Sequence, residues 1–171
     1  MLDQYNKELF TEYLDDMIFK TFNNHKYLHI SLPTGIGKIK LILKYINDNN
    51  NKKFGLFTIK LLYDKLIEDY NKLYNKNGHN INNIQYISYS GSDFNIDTLI
   101  CLEYLPSLNK IELFKNKNII LITNKEVDEK IKRVLNGLHT EIFNINRIIE
   151  LSNQFGRTIK INKLLEKINK W

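Results

Sequence analysis

SLPTGIGKIKLIL, residues 31–43, is the stretch that decides the fold. It follows a short apolar run, YLHISL at 27–32, which reads as a strand ending at Pro33. It opens a second run, 39–46, with helical spacing. Glycine is scarce, 7 in 171 residues, yet Gly35 and Gly37 stand two apart directly before Lys38. Glycines in a strand-to-helix junction let the backbone turn tightly and aim its N–H groups at an anion. The helix N-terminus adds the positive end of its dipole, and Lys38 is placed to reach terminal phosphates. The simpler alternative is a turn that needs a positive φ.

Working outward, apolar residues at 2, 5, 9, 13 and 17, with 10, 14 and 18 beside them, predict a leading amphipathic helix over 2–22. Downstream, KFGLFTI at 53–59 reads as a strand, 61–74 as a helix and 75–83 as a polar loop. IQYISYS at 84–90 alternates as a strand, and turn formers at 91–93 precede the apolar strand TLICL at 98–102. A helix over 106–115, with Pro106 near its first turn, leads to the apolar strand NIILIT at 118–123. The spacing then predicts a helix over 126–135, a strand over 139–145, a helix over 147–155 and a separate basic amphipathic helix over 161–171. Strands alternate with helices, and two strands are apolar on both faces. That predicts a doubly wound α/β fold with a mainly parallel sheet. One domain spans 1–171: a leading helix (1–25), a core (26–145) and a helical tail (146–171).

The chain has no alanine, but 24 Asn, 25 Ile and 22 Lys against 3 Arg and 2 Pro. An AT-rich gene explains this, so the formal charge of +6 is a weak pointer to nucleic acid. The same bias works against Gly and Pro, which sharpens their clustering at 33–37. The basic excess falls in 31–60 (+5) and 106–171 (+6). A single cysteine, Cys101, excludes an intrachain disulfide and reads as a buried thiol. No stretch reaches transmembrane length, and the N-terminus is polar and acidic. The expectation is a soluble cytoplasmic protein with no membrane partner. His25, His29, His79 and His139 lack metal-ligand spacing. The sequence 127–129 reads as a solvated helical face. Tyr86 and Tyr89 suit core packing better than base stacking.

Pro33-Thr34-Gly35-Ile36-Gly37-Lys38 resembles motif I of superfamily 2 (DEAD/DEAH-like) helicases, PTGxGK[ST]. The leading helix is similar to the one that precedes motif I in the type III restriction and UvrB-like branch, with Gln4 and Tyr5 in reversed order. KFGLFTIKLLYDKLIEDYNKL resembles the motif Ia region, IDTLICLE the motif II strand and NIILITN the motif III strand. The likeness covers about residues 2–125. It implies a RecA-like P-loop NTPase, a three-layer sandwich that binds ATP through Thr34, Gly35, Ile36, Gly37, Lys38 and position 39. Glu103 would stand where the water-activating carboxylate stands. It also reads as an ordinary polar residue at a strand end.

The departures concern the metal. The Walker hydroxyl that ligates Mg²⁺ is Ile39, and the motif II aspartate position is Leu102. Thr and Ile codons differ by one base, so Ile39 is an easy drift. Mg²⁺ thereby loses both protein contributions, no metal site is expected, and hydrolysis is expected to be weak or absent. Complete helicases close ATP between two lobes, and 171 residues hold one. The expected partners are DNA or RNA and a protein supplying the second lobe or a larger assembly. One alternative is an AAA+ helicase-loader or clamp-loader-like subunit, with Asn124 as the sensor residue and Arg133 or Arg147 contacting a neighbour's nucleotide. Another is a non-catalytic interaction protein (a pseudoenzyme), with Ile36 or Ile39 filling the phosphate space.

Overall fold

The computed structural model describes residues 5, 8–10, 12–13, 24–33, 38–74, 83–88 and 95–169. The sequence expectations at 34–37, over most of the leading helix, in the loop after 74 and at 89–93 lie outside these residues. Six strands form one sheet: β1 (Tyr27–Ser31), β2 (Phe54–Phe57), β3 (Ile84–Ile87), β4 (Thr98–Leu102), β5 (Asn118–Thr123) and β6 (His139–Ile142). The helices are α1 (Lys38–Asp48), α2 (Lys60–Tyr74), α3 (Leu108–Leu113), α4 (Glu129–Val134) and α5 (Ile145–Asn169). The strand order is β3-β2-β4-β5-β1-β6, and every pairing is parallel. The sequence predicted a mainly parallel sheet; among the described residues it is wholly parallel.

Alternate side chains of each strand serve opposite faces. Leu28, Ile30, Leu56, Ile100, Leu102, Ile120 and Ile122 pack with Leu41 and Ile46 of α1, Leu66 of α2 and Ile148 of α5. Tyr27, Phe57, Leu99, Cys101, Ile119 and Leu121 pack with Ile111 of α3 and Ile131 of α4. The result is a three-layer α/β sandwich, with α1, α2 and α5 on one face and α3 and α4 on the other. Cys101 is fully buried, and desolvation pushes its thiol pKa well up, as the apolar run around it implies.

Boundaries depart from the sequence reading where side chains cap the backbone. Ser107 caps α3, accepting from the Lys110 N–H, so the helix starts at Leu108 and Pro106 stands just before the cap. Asp128 caps α4 by accepting from the Lys130 N–H, and Val127 is buried. Asp128 and Glu129 are exposed, as the solvated-face reading expects, while Val127 departs from it as a core anchor before the helix start. The strand predicted over 139–145 ends at Ile142, because Phe143 turns into the core against Phe10.

The two predicted C-terminal helices are one. α5 runs 25 residues without a break. Ile148, Ser152 and Gly156 form its buried stripe. A Cβ on Gly156 would stand 3.2 Å from Leu9 Cδ1, so the glycine admits the N-terminal segment and does not end the helix. Beyond that contact Ile161, Leu164, Leu165 and Ile168 are exposed at helical spacing, beside exposed Arg157, Lys160, Lys163 and Lys167. No helix among the described residues is long and apolar enough to cross a membrane.

Candidate anion site at the carboxyl edge of the sheet

The connection from β1 crosses β5 and β4 to reach β2, while the connection from β5 crosses β1 to reach β6. Neighbouring strands that send their chains in opposite directions open a crevice at their carboxyl ends. In open α/β sheets ligands settle there. The rim of this crevice is Ser31 to Pro33 after β1, Thr123 and Asn124 after β5, and Glu103 after the adjoining β4. Backbone bonds stiffen it: Leu32 N–H donates to Thr123 O and Glu103 N–H to Ile122 O, both at 2.9 Å.

Lys38 is the first residue of α1 and only 7% exposed. Its Nζ lies 2.5 Å from Oε1 of Glu103, which is 29% exposed. Of the residues singled out in the sequence, these two are brought into contact, 65 positions apart and across the intervening β5. A charge-assisted bond of this length satisfies a lysine that burial would otherwise penalise. Glu103 holds φ +65°, alone among the described non-glycine residues in the left-handed region. That conformation costs a non-glycine residue about 1 kcal/mol or more. The sequence singled out both residues but could not pair them, because their contact depends on strand order.

The other site residues divide clearly. Thr34, Gly35, Ile36 and Gly37 lie outside the described residues. Ile39 is partly buried and packs against the larger core, and Leu102, 1% exposed, belongs to that core. Both side chains tie α1 and β4 to the sheet and offer no oxygen, so this donor set does not fit Mg²⁺. Among the described residues no group of three or more His, Cys, Asp and Glu side chains is placed to hold a metal ion. Asn124 is exposed beyond β5.

Thr123, in the motif III-like strand, uses its hydroxyl locally. Its Oγ1 donates to Lys125 O at 2.8 Å, so the His29 nitrogen Nε2, 3.1 Å away, must donate to Thr123. That tautomer leaves Nδ1 as a buried acceptor with no partner among the described residues. Burial, helped by the nearby Lys132 charge, lowers the His29 pKa. His29 therefore resists protonation in the folded chain, while the unfolded chain takes up its proton near pH 6.5. Stability is complete above that pH and falls as pH drops below it. Urea unfolding at pH 7.5 and 5.5 should show this loss, and His29→Leu should reduce it; an unchanged difference in the variant would refute the assignment.

The sequence offers two arginines for a contact in trans. Arg133 is exposed. Arg147 is engaged: it donates to Glu141 Oε2 at 2.9 Å and to Ile142 O at 2.6 Å, and covers the Phe143 ring. Burial opposes the Glu141 charge, but the bonds from Arg147 and His139 outweigh it and hold the carboxyl below its usual value. His25 stacks on His139. Tyr86 meets Tyr63 of α2, a partner the sequence did not flag, and the Lys60 ammonium lies over both rings. Comparison with protein-family models, with curated proteins and with solved structures finds no match.

Proposed function

We propose that this chain is a RecA-like, helicase-like nucleotide-binding domain that takes ATP at the β1–α1 junction, with weak or absent hydrolysis. The observation that carries this reading is the position of Lys38. It heads an 11-residue helix at the carboxyl edge of a parallel sheet, beside the switch point, with Glu103 in reach. An ammonium there, backed by a helix N-terminus, suits the terminal phosphates of a nucleotide. On this reading Glu103 is the carboxylate assigned to ordering water. With apolar side chains at 39 and 102, these two positions supply no ligand for the metal that phosphoryl transfer relies on. The exposed basic residues of α5 support association with DNA or RNA.

Calorimetry with ATP, with and without Mg²⁺, tests this. Wild type should bind to a similar extent in both conditions, Lys38→Ala should weaken binding at least tenfold, and turnover should stay at background. Metal-dependent binding with turnover would show that Ile39 and Leu102 do not disable the site. An absence of binding would favour a non-catalytic interaction domain. One observation already favours that second reading: the Lys38 charge is satisfied within the chain.

A further inference from the structure

We infer that Glu103 is a built-in competitor for the anion at Lys38, so that the ion pair holds the site closed until a polyphosphate displaces the carboxylate. The inference rests on the phosphate-binding reading above. The Glu103 carboxylate oxygen stands 2.5 Å from Nζ, the position a phosphate oxygen would take. Admitting an anion with the carboxylate in place would set two like charges around one largely buried ammonium. Glu103 must therefore turn away when ligand enters.

Two features make that movement available. The Glu103 side chain keeps 29% of its surface exposed, so solvent can receive it. Its left-handed backbone is a strained state that departure from Lys38 can relax. The competition also selects the ligand class. A tethered carboxylate acts at a millimolar or higher effective concentration. A monoanion such as acetate or chloride does not overcome this, whereas a chain of phosphates, with several charges shared between Lys38 and the helix N-terminus, does. Closure lowers the apparent affinity in proportion to the closed fraction.

The test is calorimetric binding of ATP and of tripolyphosphate, both without metal, to wild type, Glu103→Gln, Glu103→Gly and Lys38→Met. Thermal melts show which variants are folded. Glycine fits the left-handed backbone and removes the carboxylate if the glutamine variant misfolds. Removing the competitor should tighten both ligands at least tenfold, and adding Lys38→Met should abolish the gain. Equal or weaker binding by the Glu103 variants, where wild type binds, overturns the competitor role and leaves the nucleotide reading standing. If neither wild type nor either Glu103 variant binds, both ideas fall.

Discussion

Phe10→Ala is expected to lower the unfolding free energy by about 4 kcal/mol, the usual range for emptying a buried aromatic site. Phe10 is fully buried in the larger core, edge-on to Phe143 at 5.3 Å between centroids and stacked with Tyr13 at 6.1 Å. Tyr13 in turn meets Phe155 of α5, and Leu9 lies on Gly156. One short segment thus closes the core over β6 and α5. Truncation removes the ring's burial and leaves a cavity among residues held by the sheet and α5. For a chain of this length the loss corresponds to about 10 °C in Tm. Phe10→Leu keeps most of the volume and should cost less than about 1.5 kcal/mol. If Phe10→Ala melts within about 3 °C of wild type, the segment is not part of the cooperative core.

Gly55→Val is expected to cost about 3 kcal/mol for the opposite reason, overpacking. Gly55 lies in β2, with β3 on one side and β4 on the other. A Cβ there would stand 2.6 Å from Ile96 Cδ1 and 2.8 Å from Ile87 Cγ1. The backbone is ordinary extended strand, so the penalty is steric and not conformational. Ile96→Ala is destabilising by itself, yet it vacates part of the space the new side chain needs, leaving the contact with Ile87. In denaturant unfolding the double variant should be more stable than the sum of the single losses by at least about 1 kcal/mol. Strict additivity would show that Ile96 is not what the valine strikes.

The elements that read most clearly are those whose burial is simplest. TLICL and NIILIT match β4 and β5 residue for residue, because a strand covered on both faces is an uninterrupted apolar run. α1 matched because its apolar residues recur on one face. The errors fall where a distant contact overrides a local signal. The C-terminal region read as two helices, over 147–155 and 161–171, but α5 runs through, with Gly156 packed against Leu9. Residues 126–128 carry helix-compatible spacing, but Asp128 caps the helix and delays its start.

The candidate site was legible in part for the same reason. Gly35, Gly37 and Lys38 form a local pattern, and local patterns survive without tertiary information. Glu103 had two equal readings, because nothing near it in the chain says what it faces.

By itself, the sequence determined the alternation of strands and helices, the doubly covered centre of the sheet and a lysine at the head of α1. These follow from periodicities of two and 3.6 residues, which record which faces are buried wherever the partners come from. Only the tertiary structure decided that β5 lies between β1 and β4, that Lys38 meets Glu103 across it, and that Glu103 takes a left-handed backbone. Strand order arises from crossovers between segments far apart in the chain, and no residue's local spacing encodes which strand its own will lie beside.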